Sequence, residues 1–202
     1  MISATAPAWV KRYYKDLIWR HPYSDKIFLT FDDGPTPGVT EEVLEILRRH
    51  QTKATFFCLG KNVAQYPYIY KRILDEGHAV GNHSYSHLNG WKVKTTEYIN
   101  DVLKAEENIL SNLFRPPYGR IKKSQIKSLL SGYKIIMWDV LSGDYHPKAT
   151  PAICVSRVIK HTKPGSIVVF HDSLKAKENV LGSLDEIIVR LRSDGLDFSP
   201  LF

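Results

Sequence analysis

Short apolar runs alternate with longer amphipathic segments along the 202 residues of the chain. The apolar runs are rich in β-branched and aromatic residues and predict strands at 26–32, 54–60, 78–83, 113–117, 133–140 and 166–171, with a weaker one at 196–201. The segments between them predict helices at 40–50, 61–75, 95–110, 122–131, 150–161 and 178–193. This alternation predicts an α/β fold, either an open doubly wound parallel sheet or a small, incomplete barrel.

Two predicted helices begin at a threonine. Thr40 precedes two acidic residues, which favour the positive end of a helix dipole, and is therefore predicted to be an N-cap. Thr150 precedes Pro151, a residue suited to the first helical position.

The first 25 residues lie ahead of the first predicted strand. Their apolar residues recur at helical spacing and are Trp9, Tyr13, Tyr14, Leu17, Ile18 and Trp19. We expect 1–25 to form a helical extension packed on a single domain, 26–202, since no repeat or long linker divides the rest of the chain.

No apolar run reaches the roughly 18 residues of a membrane-spanning helix. Residues 1–7 lack the basic start and apolar stretch of a secretory signal. At face value this predicts a cytoplasmic protein, or an extracytoplasmic one if a leader has been removed.

The chain carries 28 Lys and Arg against 21 Asp and Glu, a net charge of +7 that suggests an anionic partner. The cations are scattered, and no nucleic-acid-binding motif is present. No glycine-rich phosphate loop follows a strand. Specific nucleic-acid binding and nucleotide binding are therefore not expected.

Two adjacent carboxylates, Asp32 and Asp33, end the first predicted strand ahead of Gly34. An Asp-Asp-Gly-Pro turn at the surface would use the same residue types. Adjacent carboxylates repel each other, so a functional pair needs a cation, a shared proton or an outward turn of one side chain.

Two histidines, His83 and His87, follow the third predicted strand and are four residues apart. One helical turn or a tight loop would let both face one point. Histidine is the commonest side-chain ligand of transition metals, and zinc sites often combine it with a carboxylate. Together with the acids of the first strand, the pair predicts a two-histidine, one-carboxylate metal site.

Later strands also end in polar residues. Arg115 precedes two prolines, Pro116 and Pro117, whose rigid backbone would form a wall that holds Arg115 and the Tyr118 amide in place. Further polar residues follow later strands: Asp139, Asp144 and His171. Parallel α/β folds gather such strand ends at one face, where active sites lie.

These segments resemble, in order, the motifs of the polysaccharide deacetylases with a NodB homology domain, also called carbohydrate esterase family four. The matching motifs are Thr30-Phe31-Asp32-Asp33-Gly34, His83-Ser84-Tyr85-Ser86-His87 and Arg115-Pro116-Pro117-Tyr118-Gly119, and Lys53-Ala54-Thr55-Phe56-Phe57 is similar to the family's second strand. The resemblance covers roughly 26–200. It implies a distorted, incomplete (β/α) barrel and a metal-dependent hydrolase that removes N-acetyl groups from an amino-sugar glycan, such as chitin oligomers or peptidoglycan, and releases acetate.

The resemblance also implies roles around the metal. Asp33, His83 and His87 would bind a divalent cation, most often zinc. Asp32 would be the general base toward water, and Arg115 would keep it ionised.

The remaining implied roles concern the substrate. The backbone N–H of Tyr118, beside Pro117, would stabilise the oxyanion together with the metal. His171 would be the general acid for the leaving amine, oriented by Asp144. Asp139 is a rival for that orienting role, and Asp144 is favoured because it precedes the aromatic residue.

Two positions depart from the family's usual pattern. Tyr145 stands where the family has Trp, and Val169 stands where it has Leu. These side chains would form the pocket for the acetyl methyl group, so acyl preference stays open. An O-acetyl esterase of another polysaccharide and a non-catalytic carbohydrate-binding relic are the alternatives, and the sequence does not predict the oligomeric state.

Overall fold

The computed structural model describes residues 3–21 and 23–202. Its strands are β1 (Phe28–Asp32), β2 (Thr55–Cys58), β3 (Ala79–Asn82), β4 (Leu113–Phe114), β5 (Lys134–Ile135), β6 (Val140–Leu141) and β7 (Ile167–His171). Its α-helices are α1 (Ala8–Tyr13), α2 (Thr40–Arg49), α3 (Gly60–Gln65), α4 (Pro67–Asp75), α5 (Thr95–Glu106), α6 (Lys123–Leu129), α7 (Pro151–His161) and α8 (Lys177–Ser193). The strands form one parallel sheet in the order β5-β4-β3-β2-β1-β7-β6.

The sheet is curled, as its connectivity requires. β5 and β6 lie at opposite edges, yet only residues 136–139 separate them along the chain. Seven flat strands would place those edges about 29 Å apart, whereas the connecting chain reaches about 18 Å at most. The predicted incomplete (β/α) barrel is confirmed, and the alternative of an open sheet is excluded.

The same connection corrects the prediction of one strand at 133–140. Successive residues of this run bond to different partners: Lys134 and Ile135 pair with β4, the Met137 amide donates to the Ile18 carbonyl at 2.7 Å, and the Asp139 amide donates to the Ile167 carbonyl of β7 at 3.3 Å. The Asp139 carboxylate also accepts from the Ile167 amide at 3.0 Å and the Ser166 hydroxyl at 3.1 Å. The apolar run is therefore divided between the two edge strands.

β1 lies inside the sheet between β2 and β7, and its side chains alternate between two buried faces. Phe31 stacks on Phe56 and Phe170 under the outer helices, with ring centroids 5.0 and 5.7 Å apart. Phe28 belongs to an apolar cluster on the opposite face. Thr30 and Asp32 follow it on that inner face, so the strand delivers a carboxylate to the mouth of the barrel.

Several predicted boundaries differ from the structure. The helix at 61–75 is divided because Pro67 lacks an amide proton and excludes Tyr66 from helical geometry. Residues 196–201 form a single bridge, Ile27 with Phe198, rather than a strand.

Thr40 is not the N-cap of α2: Val39 holds that position. Thr150 does cap α7, accepting the Ile153 amide at 3.3 Å.

The N-terminal segment is helical over α1, and its other described residues are turns and irregular backbone with isolated bridges at Ile18 and Arg20. Leu17 and Trp19 are buried in a cluster with residues of α5 and α6. Ile18 forms a parallel bridge with Ile136, beside the β5 edge. Trp9 and Tyr13 stay exposed, contrary to the prediction, because a helix of six residues offers the domain only one narrow face. The boundary between residues 25 and 26 stays a prediction.

None of the helices in the described part of the chain is long and apolar enough to cross a membrane.

Candidate active site

The predicted site residues meet in a cleft of about 770 Å³ at the carboxyl ends of the strands. Register explains the convergence: β1 pairs with β7 so that Asp32 lies beside His171, and β3 and β4 end just before His83 and Arg115. The cleft is lined by Asp32, Asp33, His83, His87, Tyr118, Tyr145, Val169 and His171, among others. Arg115 and Asp144 lie behind this lining, each bonded to a residue within it.

Asp33, His83 and His87 form a candidate metal site. Their ligand atoms lie within 4.8 Å of one another. Nε2 of His87 is 3.1 Å from Asp33 Oδ1, and Nε2 of His83 is 3.6 Å from the same oxygen. Nδ1 of His83 donates to the Arg115 carbonyl at 2.8 Å, which leaves its Nε2 lone pair directed at the site.

The donor set fits a divalent metal ion. Asp33 Oδ1 is buried, and it has no well-aligned hydrogen bond among the described residues although both imidazole Nε2 atoms lie near it. Burial raises the pKa of Asp33, but its contacts with His83 and His87 and the charges of His171 and His83 outweigh burial and bring the pKa well below its usual range. Two nitrogen ligands and one ionised oxygen ligand leave coordination positions open, as catalytic zinc sites do.

Asp32, unlike Asp33, pairs with a buried cation. Arg115 is fully buried, and its Nη1 donates to Asp32 Oδ1 at 2.6 Å and to the Thr30 hydroxyl at 2.7 Å. Its other nitrogens donate to the carbonyls of Ile136 and Met137 across the barrel. Burial lowers the pKa of Arg115 and the Asp32 charge opposes this, but a guanidinium stays charged in proteins. The repulsion between the adjacent acids is thus relieved by a separate partner for each.

His171 lies across the cleft and is bonded to Asp144. Asp144 accepts from His171 Nδ1 at 2.8 Å and from its backbone amide at 2.7 Å. Burial lowers the pKa of His171, but Asp144 above all, with Asp33 and Asp32, raises it to about 9. Asp139 bonds instead to the start of β7, so the structure places Asp144 and not its rival beside the histidine.

The Tyr118 amide donates to no partner among the described residues and is available to a ligand. Tyr118 has φ +60, a left-handed conformation rare for residues other than glycine. Asp33, Ser84 and His87 share this conformation, and such backbones concentrate at functional sites. Pro117 is buried, and its neighbour Pro116 lines the cleft in its place.

The floor beside His171 is apolar. Tyr145 packs edge-on against His171, with ring centroids 4.8 Å apart, and Val169 is buried in the same wall. Sequence reasoning did not select Trp138 and Leu141, which also line this cleft. Trp138 lies within the predicted strand 133–140 and Leu141 follows it directly, but nothing in their residue types marked them as ligand-facing.

Asp172 is a further buried acid that sequence reasoning missed. Its Oδ1 accepts from the Gly34 amide at 3.1 Å, and its Oδ2 accepts from the Thr40 hydroxyl at 2.5 Å. Burial, with a smaller contribution from Asp33, raises the pKa of Asp172 to about 7. The order His-Asp at the end of a strand was the only sequence signal.

Fold and site together define a class: metal-dependent hydrolases built on an incomplete (β/α) barrel. The family model for polysaccharide deacetylase matches residues 20–133, more than half of the chain. The chain belongs to the polysaccharide deacetylase family. This membership confirms the predicted class of enzyme, an N-deacetylase.

Known relatives resemble nearly the whole chain. It is 37% identical over 209 residues to a peptidoglycan-N-acetylglucosamine deacetylase of Bacillus cereus, covering 98% of this chain and 74% of the relative. It is 30% identical over 196 residues to a chitooligosaccharide deacetylase of Azorhizobium caulinodans, covering 87% and 92%. A solved peptidoglycan N-acetylglucosamine deacetylase, in complex with 4-naphthalen-1-yl-N-oxidanyl-benzamide, superposes with a TM-score of 0.88 at 35% identity and covers 96% of this chain and 94% of that one.

Proposed function

We propose that this protein is a zinc-dependent deacetylase of N-acetylglucosamine residues in peptidoglycan. The observation that carries the proposal is the arrangement of three groups around one cleft: the Asp33–His83–His87 site, the Asp32 carboxylate and the His171 imidazole. The resemblance to peptidoglycan deacetylases supports the choice of polymer. Zinc is proposed because two histidines and one carboxylate are typical of its catalytic sites.

The zinc ion would supply Lewis-acid polarisation of the amide carbonyl and a lowered pKa for water. Asp32 takes the proton of the attacking water. Its Arg115 partner fixes its orientation, since the guanidinium is itself held by three further acceptors.

In the tetrahedral intermediate, negative charge develops on the former carbonyl oxygen. The unpartnered Tyr118 amide donates to that oxygen. His171 then donates a proton to the leaving nitrogen as the carbon–nitrogen bond breaks, and acetate and a free amine result. Asp144 fixes the tautomer of His171 through Nδ1 and leaves Nε2 to carry the transferred proton.

The charge of the cleft supports an acidic polymer over neutral chitin. Its lining includes three exposed cations, Lys61, Arg120 and Lys175, and none of them pairs with a carboxylate among the described residues. The two lining acids, Asp32 and Asp33, are already held by Arg115 and by the metal site. Peptidoglycan carries carboxylates on its peptides and on lactyl groups that bear no peptide, whereas chitin carries none.

Acetate release tests the proposal. The purified protein is incubated with peptidoglycan fragments, with N-acetylglucosamine oligomers and with O-acetylated xylan, each with zinc or with a chelator. We expect zinc-dependent acetate release, fastest from peptidoglycan fragments and more salt-sensitive there than on neutral oligomers. Release from xylan alone would establish the O-acetyl esterase, and zinc binding without release from any substrate would establish the binding relic.

A further inference from the structure

We propose that Asp172 is a positioning residue for the metal site, which holds the backbone of Asp33 through Gly34 and Thr40. The inference rests on the proposed metal site and assigns a role to a buried acid outside its ligands.

The Asp33 ligand sits on an unusual piece of backbone. Its φ is +81, which a side chain other than glycine's rarely adopts, and its carboxylate must still meet both histidines. Such a conformation persists only where neighbouring bonds hold it. The structure supplies those bonds on both sides of the residue.

Three residues outside the loop that carries Asp33 form hydrogen bonds with its backbone: Leu59, Asn62 and Asp172. Asn62 donates to the Asp33 carbonyl at 2.8 Å, and the Leu59 amide donates to the Gly34 carbonyl at 2.9 Å. The Gly34 amide, which follows Asp33 directly, donates to Asp172 at 3.1 Å. The Asp172 amide donates to the Asp32 carbonyl at 3.1 Å. Asp172 therefore bonds to the backbone on both sides of Asp33.

Thr40 extends the hold to helix α2. Its hydroxyl donates to Asp172 at 2.5 Å and accepts the Thr36 amide at 2.7 Å. This explains why Thr40 does not cap its helix: both hydrogen-bonding functions of its hydroxyl serve the loop. Every polar atom of the Asp172 carboxylate is thereby used inside the protein.

Close packing shows that the contact is specific. A Cβ placed on Gly34 would lie 1.9 Å from Asp172 Oδ2, so only glycine allows the backbone to approach the carboxylate. Asp172 is 1% exposed. Burying a carboxylate beside two others is unfavourable, and a role in fixing a cation ligand accounts for its presence.

Thr40→Val tests the inference with little change of shape. It removes the donor to Asp172 and the acceptor of the Thr36 amide. We expect zinc affinity, measured by competition with a chromophoric chelator, to fall about tenfold to a hundredfold, as when other outer-shell partners are lost. Thr40→Ser keeps the hydroxyl and should restore affinity close to that of the wild type.

A matched control separates positioning from stability. Thr52 is buried just beyond the other end of α2, and its hydroxyl donates to the His50 carbonyl and accepts from Arg192. Thr52→Val should lower the melting temperature and leave zinc affinity unchanged. Asp172→Asn keeps the side-chain shape but removes one acceptor, and it should weaken zinc binding as Thr40→Val does. It replaces Thr40→Val in the test if that variant does not fold.

Equal zinc affinities for the wild type, Thr40→Val and Asp172→Asn would overturn the inference, as would an equal loss in Thr52→Val. Failure of the proposed function has a different signature: zinc bound with the expected ranking of variants, and no acetate released by any of them.

Discussion

Asp144→Asn should move the alkaline limit of catalysis to lower pH. The proposed general acid, His171, must be protonated, so activity is present below its pKa and is lost as pH rises through that value. In the native protein that pKa is about 9, against an ordinary value of 6.5. The difference corresponds to about 3 kcal/mol in favour of the imidazolium.

Asp144 is the main source of that preference. Its carboxylate contacts both the ring and the backbone amide of His171, at 2.8 and 2.7 Å, and it is fully buried. An opposite charge at this range raises the pKa of a histidine by roughly 1–3 pH units. Because asparagine carries no charge, the pKa that defines the alkaline limb of the kcat/KM profile should fall by roughly 1–3 pH units in Asp144→Asn.

The assay is a pH profile of kcat/KM for acetate release, with zinc saturating throughout. Asp139→Asn is the matched control because Asp139 is a buried acid of the same neighbourhood that does not touch His171. Its alkaline limb should stay near that of the wild type. An unmoved limb in Asp144→Asn, or an equal shift in Asp139→Asn, would refute the assignment of His171 as the general acid oriented by Asp144.

Three further predictions concern the metal, the buried cation and the acyl pocket. A chelator should abolish acetate release and zinc should restore it; activity that persists in the metal-free protein would contradict the metal site. Arg115→Met should lower the free energy of unfolding by about 3–5 kcal/mol, measured by denaturant titration, because it leaves the buried Asp32 charge unpaired; a loss below 1 kcal/mol would show that the pair is unimportant. Val169→Leu should narrow the pocket and reduce the ratio of N-propionyl to N-acetyl hydrolysis about tenfold, and an unchanged ratio would exclude Val169 from the acyl pocket.

The sequence predicted the convergence of the site because parallel strands have a simple rule. Their carboxyl ends meet at one edge of the sheet, so Asp32, His83, Arg115 and His171 had to come together once the strands were identified. Periodicity identified these strands well, since each is a short apolar run between turn residues.

Other features depend on tertiary contacts that no local pattern reveals. The apolar run at 133–140 predicts one strand, but it divides because its successive residues bond to different partners: β4, then Ile18, then the start of β7. Thr40 has the residue type and setting of an N-cap, yet its hydroxyl donates to a carboxylate 132 residues away. Asp172 follows the predicted general acid with no periodic pattern around it, and its partner Gly34 is 138 residues away along the chain.

The division of labour between the two adjacent acids is the central claim, and one pair of measurements on one preparation tests it most directly. Zinc content and acetate release are determined for Asp32→Asn and Asp33→Asn. We predict that Asp32→Asn retains about one zinc per chain and releases no acetate, whereas Asp33→Asn loses both, because Asp33 completes the donor set with His83 and His87. Loss of zinc in Asp32→Asn with zinc retained in Asp33→Asn would reverse the roles and contradict the account.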